Sequence, residues 1–197
     1  EDQGGVGLGW VEAAVVLEAV GAHVAPAPIL SQLVALEFLA GTEWADALLS
    51  GGSIAAVAPH LGEPTPYAPD ADVVLTVEDG ALVAIDLRSS RPPAEPAMDL
   101  TRSLGWLRPE ELAGAPRQEL GGAEAATRLL DVASVAYSAE LLGLAQRSLD
   151  LAVAYAGERI QFGRPIGSFQ AVKHRCADML VDVEGMRSAA YWAAWCV

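Results

Sequence analysis

The sequence predicts a mixed α and β chain: a helical segment over 1–51, a small antiparallel β-domain over 52–118, and two long helices over 119–197. Three observations carry this. Apolar residues recur at spacings of three and four toward both ends of the chain, as on helices buried along one face. Between them the period shortens to two, with β-branched runs and an Asp-Gly pair. A turn rich in Gly and Pro, 159–170, then separates two long stretches of helical pattern.

In the first segment Val11, Ala14, Val15, Glu18 and Ala19 lie in a helix-favouring stretch that Gly21 closes before the Pro26-Ala27-Pro28 break. Two further helices fit Ile29 to Leu39, ended by Gly41, and Glu43 to Leu49, ended by Gly51-Gly52. Trp10 and Trp44 are single aromatics on apolar helix faces, a core placement. Ser53 to Val57, Val73 to Val77 and Ala81 to Leu87 read as strands, the last two joined into a hairpin by Glu78-Asp79-Gly80. The stretch from Ser89 to Gly114, rich in Pro and charge, reads as edge strand plus connection.

The two long helices flank the turn. Upstream, Leu130, Ala133, Tyr137, Leu141, Leu144, Ser148, Leu151 and Tyr155 form the expected buried stripe. Downstream, Phe169, Val172, Cys176, Met179, Val183, Met186, Ala190, Ala193 and Val197 alternate by three and four, the spacing of a helix lying along another at a shallow angle. Gly163, Pro165 and Gly167 turn the backbone, and Ser168 is expected to cap the second helix.

Charge sets this turn apart. Residues 1–87 contain thirteen Asp and Glu and no Lys or Arg, whereas 159–177 holds Arg159, Arg164, Lys173, His174 and Arg175 with no acid. Arginine forks beside a helix N-terminus suit a phosphate or pyrophosphate, while a solvated face and capping turn is what the charge pattern alone indicates.

Two motifs closely resemble those of the acyl-CoA dehydrogenases. Leu142-Gly143-Leu144-Ala145-Gln146 lies on the upstream helix, and Arg159, Phe162, Gly163, Ile166 and Gln170 follow in the family's Arg-x-x-Phe-Gly-x-x-Ile-x-x-x-Gln spacing. The likeness runs from about Asp131 through Met179 and on to Ala194, and the Gly7 to Glu18 opening is similar to the last helices of the family's N-terminal domain. The resemblance implies an acyl-CoA dehydrogenase-like fold, with 1–51 the end of the N-terminal helical domain, 52–118 an abbreviated β-domain and 119–197 the start of the C-terminal bundle. It further implies that Arg159, Gln161, Phe162 and Gln170 contact the pyrophosphate and adenine of an FAD held mainly by a neighbouring subunit. The family's Thr-Glu-Pro-x-x-Gly-Ser-Asp type flavin segment is missing; His60 to Thr65 occupies roughly its place.

Catalytic residues are not found. The reaction needs a carboxylate to take a proton alpha to a thioester carbonyl while a hydride leaves the beta carbon for the flavin. The family's usual base lies beyond Val197. The alternative base position, on the first bundle helix, is Ala133 here, and an arginine position near the substrate is Ser134. Asp131 matches the family's substrate-side aspartate; by itself it reads as a helix-start acid. Tyr137 is expected to pack, and Glu140 to make a buried polar contact or line the substrate wall.

The resemblance thus implies a subunit or fragment of an FAD-dependent acyl-CoA dehydrogenase that forms 2,3-enoyl-CoA. The alternative is a non-catalytic partner that completes the FAD site of a companion chain, as in heteromeric enzymes for bulky steroid side-chain thioesters. The expected partners are an acyl-CoA substrate, a homologous dehydrogenase subunit in a homo- or hetero-oligomer, and an electron-transfer acceptor.

Composition bounds the rest. With 52% hydrophobic residues and a net charge of −14, the chain is able to bury a substantial core and offers no general basic face for nucleic acid or anionic membrane. No run of about 18 uncharged apolar residues is present, and nothing at Glu1 reads as a signal peptide. Cys176 and Cys196 fit a reducing compartment, so a cytoplasmic location is expected. His23, His60 and His174 lack metal-ligand spacing, and no dinucleotide or P-loop glycine pattern occurs.

Overall fold

The computed structural model describes residues 7–197, so the first six residues of the 1–51 segment lie outside it. Packing divides the chain into two compact units, one of residues 25–134 and one joining residues up to Val24 with 135–197. The first helix of the N-terminal segment thus packs with the bundle helices, and the other two with the strands.

The 25–134 unit is built on α2 (Ile29–Leu39), α3 (Ala45–Leu49) and a sheet of order β1-β3-β4-β6. The strands are β1 (Ala55–Val57), β3 (Val73–Glu78), β4 (Ala81–Asp86) and β6 (Arg117–Gly121), with β2 (Pro64–Pro66) and β5 (Leu104–Trp106) pairing apart. The Asp-Gly hairpin forms as expected. Asp79 and Gly80 have φ of 49° and 80°, the paired positive values that a tight two-residue hairpin needs. The sheet is mixed where an antiparallel one was expected: β1 runs parallel to β3, because the chain between them crosses over through β2.

Two polar side chains fix the start of β1. Gln32 on α2 donates to the Ser53 carbonyl at 2.8 Å and accepts from the Ala55 N–H at 2.9 Å, standing in for a neighbouring strand. Asp72 accepts from the Ser53 hydroxyl at 2.7 Å and the Ile54 N–H at 3.0 Å, and pairs with Arg91. Burial pushes the Asp72 carboxyl up, but the bonds from Ser53, Ile54 and Arg91 outweigh it and bring the group below its usual range. Above this girdle Val74, Ile85, Leu87, Leu107 and Leu112 close an apolar core. Trp44 is buried as expected, with the Arg88 guanidinium 4.4 Å from its ring centre.

The helical unit comprises α1 (Trp10–Ala22), the later part of α4 (Ala123–Glu158), and α5 (Gln170–Cys196). At 1.5 Å per residue α4 is about 54 Å long and α5 about 40 Å. Glycine decides how α1 meets α4. A Cβ on Gly143 would fall 1.9 Å from the Glu18 carbonyl oxygen of α1, and one on Gly21 would fall 1.9 Å from the Glu140 carbonyl oxygen of α4. The two backbones therefore touch, and each helix gives up a side chain to the other.

A polar cluster locks α5 onto this crossing. Arg187 pairs with Glu18 and donates to the Gln146 amide oxygen at 2.8 Å, while the Tyr191 hydroxyl donates to Glu18 at 2.8 Å. Burial, then Glu18, holds the Tyr191 phenol above its ordinary value, and Glu18 holds the Arg187 guanidinium charged. The Leu-Gly-Leu-Ala-Gln run thus has a physical meaning in this chain. Leu142 fills the core, Gly143 admits α1, and Gln146 reaches α5.

The expected stripe on α4 is a correction. Ala133 is buried as expected, but Leu141, Leu144, Leu151 and Tyr155 are 42% to 58% exposed, and the buried face runs through Val132, Ala136, Ala139 and Leu142 beside it. On α5, Val183 and Ala190 are buried, but Met179 and Met186 are partly open.

Candidate functional site

The 159–170 turn lies wholly within the helical unit. After α4 ends at Glu158, Ile160–Gln161 (β7) pairs antiparallel with Arg164–Pro165 (β8), forming a miniature hairpin whose tip is Phe162-Gly163. Both tip residues have positive φ, 53° and 76°. Glycine adopts this region freely; for a phenylalanine it costs roughly 1–2 kcal/mol. The hairpin base is tied by the Ile166 N–H donating to the Arg159 carbonyl at 2.8 Å. Gly167 lets the following single 3₁₀ turn (Ile166–Ser168) approach α4, since a Cβ there would lie 2.9 Å from the Ala156 carbonyl oxygen.

Ser168 does not cap α5. It belongs to the 3₁₀ turn, and Phe169, in extended conformation, precedes the first helical residue, Gln170. The first-turn N–H groups of α5 keep no side-chain cap, because the chain enters the helix from a 3₁₀ turn one residue later than the Ser168 cap implied.

The side chains expected to act here share this one turn and point largely to solvent. The Phe162 ring is 92% exposed. Arg159 is exposed and forms no ion pair with any acid among the described residues. The Gln161 side-chain amide donates back to the Ile160 carbonyl at 2.8 Å, and Gln170 lies 3.4 Å from the ring of His174. Two residues read in the sequence only as part of the basic window and of the downstream stripe, Arg164 and Phe169, complete the arrangement. Phe169 meets Phe162 edge to face, centroids 6.1 Å apart at 85°, and the Arg164 guanidinium sits 4.1 Å above the Phe169 ring. An arginine and an aromatic five residues apart follow no helical or strand period, so periodicity could not pair them.

The remaining candidates fall elsewhere. Asp131 is exposed and stands in the third turn of α4, which starts at Ala123 after Gly121-Gly122; it is not a helix-start acid, and the dipole acts on Glu124 instead. Ala133 is buried, and the Ser134 hydroxyl donates to the Leu130 carbonyl at 2.7 Å. Glu140 is buried where Gly21 of α1 crosses α4. His23 ends α1, its ring nitrogen 2.8 Å from the Ala19 carbonyl. No group of three or more metal-ligating side chains occurs among the described residues, and none of their helices is long and apolar enough to cross a membrane.

With this geometry in view, the class is defined. Residues 121–197 match the family described as acyl-CoA dehydrogenase, C-terminal domain, and the chain belongs to the acyl-CoA dehydrogenase family. Its relatives sharpen this. The acyl-CoA dehydrogenase IpdE2 of Mycolicibacterium smegmatis is 38% identical over 194 residues, covering 97% of this chain and 59% of that protein. Among solved structures, the Tcur3481-Tcur3483 steroid ACAD G363A variant superposes with a TM-score of 0.83 at 29% identity, over 96% of this chain and 62% of the other. The ChsE4-ChsE5 complex from Mycobacterium tuberculosis gives 0.80 at 28%, over 98% and 62%. The chain thus spans about three fifths of the length of these relatives.

Proposed function

We propose that this chain is part of an FAD-dependent acyl-CoA dehydrogenase that converts an acyl-CoA thioester to the 2,3-enoyl-CoA, and that its 159–170 turn contributes to an FAD held mainly by a neighbouring subunit. One observation carries the reading. The turn presents a cationic fork with no acid partner among the described residues, a phenylalanine 92% exposed at a backbone cost, and two exposed amides whose side chains contact only near neighbours in the sequence. That donor set fits the pyrophosphate and adenosine half of a flavin dinucleotide. Arg159 would take the pyrophosphate, Phe162 would face the adenine, and Gln161 and Gln170 would bond polar edges. Bound flavin would supply the hydride acceptor. The chain's own part is to anchor and orient the non-reacting half and to keep water from it.

A hetero-oligomeric setting with bulky, steroid-type thioesters is supported by the two solved neighbours, one a steroid ACAD and the other the ChsE4-ChsE5 complex. The apolar positions left open on α4 and α5 suit cover by another chain. A second reading, a non-catalytic partner that only completes a companion's flavin site, is favoured by Ala133 and Ser134. Where some family members place a base and an arginine, this chain has a buried methyl and a hydroxyl bonded to its own helix. Asp131 remains the residue assigned to the substrate side. The electron acceptor is assigned as a separate electron-transfer protein, and the location as cytoplasmic.

The test is flavin content. Purified alone, the chain is expected to be colourless and to self-associate; co-expressed with a homologous dehydrogenase subunit it is expected to yield a yellow complex that oxidises acyl-CoA. A fully flavinated, monodisperse monomer would contradict the shared-site reading.

A further inference from the structure

We propose that Arg164 is a positioning residue which, acting through Phe169, holds the Phe162 ring ready for the adenosine half of the flavin; this rests on the function proposed above. The Phe162 ring has almost no packing to hold it. It is 92% exposed, at the tip of a two-residue hairpin turn, and its one ring partner is Phe169, met edge to face at 6.1 Å. A freely rotating ring would lose its rotamer freedom on binding and weaken the contact, whereas a ring already held loses less. Phe169 is half-buried, and the guanidinium of Arg164 lies over its ring, 4.1 Å from the centre. Arg164 makes no ion pair with an acid among the described residues, so no carboxylate draws it off the ring.

The order is a ladder of three side chains from one short turn: Arg164 on Phe169, Phe169 against Phe162, Phe162 outward. Arg159, on the other strand's approach, stands outside the ladder and would contact the ligand directly. The two arginines therefore have separable roles. Arg159 supplies charge to the ligand, and Arg164 supplies orientation to a ring.

A double-mutant cycle in the flavinated assembly separates the roles. Arg164→Met is expected to weaken FAD roughly three- to tenfold, about the worth of one aromatic contact. Phe169→Leu serves as a second, independent break in the ladder and is expected to do the same. In a Phe162→Ala background both substitutions are expected to be silent, because the ring they position is gone. If Arg164→Met instead lowers FAD affinity equally with and without Phe162, Arg164 either contacts the ligand itself or holds the whole hairpin, and the proposal fails. It also fails if Arg164→Met and Phe169→Leu leave affinity unchanged while Arg159→Ala and Phe162→Ala reduce it. If these last two are also without effect, the flavin assignment of the turn falls, and this proposal with it.

Discussion

The two units of this chain spend their apolar residues differently. In residues 25–134 Val74, Ile85, Leu107 and Leu112 belong to one apolar core, and the most exposed large apolar side chains of this unit, Met98 and Leu100, lie on a connection. In the helical unit many of the buried apolar positions are small, Ala136, Ala139, Ala190 and Ala194 beside Leu17 and Leu142, while Leu141, Leu151, Val181, Trp192 and Trp195 stay exposed along α4 and α5. One unit is completed by its own residues. The other concentrates its internal strength in a glycine crossing and a polar cluster, and leaves a face and a turn for something else to complete.

That contrast is best broken at the crossing. Gly143→Ala puts a methyl where the Glu18 carbonyl already is, so the helices must part. The expected loss is about 3 kcal/mol. Hydrogen exchange is the measurement: amides of α1 and of 135–158 should lose protection, while those of β3 and β4 keep theirs. Equal loss in both regions would show that the units do not answer separately.

The complementary break is Asp72→Asn in the sheet unit, expected to cost about 1–2 kcal/mol because partly exposed charged bonds are lost. The pH dependence has a definite sign. Asp72 is lowered from the model-compound value of 3.8, so its contribution is present above that pH and is lost as pH falls through the folded value. The original protein should therefore lose more stability than Asp72→Asn between about pH 5 and about pH 2, as read by chemical denaturation. A smaller and opposite effect is expected at Thr76, whose hydroxyl is fully buried without a hydrogen-bond partner among the described residues. Thr76→Val should stabilise by about 1 kcal/mol, raising the melting temperature.

How much of this was legible in the sequence follows from how each part is made. α2 came out with the expected bounds, and the Asp79-Gly80 hairpin was readable because its turn chemistry is local. β2 and β5 were not, since Pro64-Thr65-Pro66 reads as a break and its partner lies some forty residues on. The α4 face was misread for a physical reason. Large apolar residues such as Leu141 and Leu151 dominate a periodicity count, but a helix crossing at backbone contact needs Gly143 and the alanines near it. The Arg187–Glu18 pair joins residues 169 positions apart, and nothing local announces it. The turn itself was found through its motif; the Arg164–Phe169–Phe162 ladder needed coordinates.

The central claim is that the open turn of the helical unit completes a flavin site shared with another chain. FAD affinity of the assembly carrying Arg159→Ala tests it most directly, with the complex otherwise intact by sedimentation. Loss of one charge-assisted contact predicts a weakening of about ten- to a hundredfold. An assembly that carries Arg159→Ala and binds FAD as tightly as the original would contradict the account.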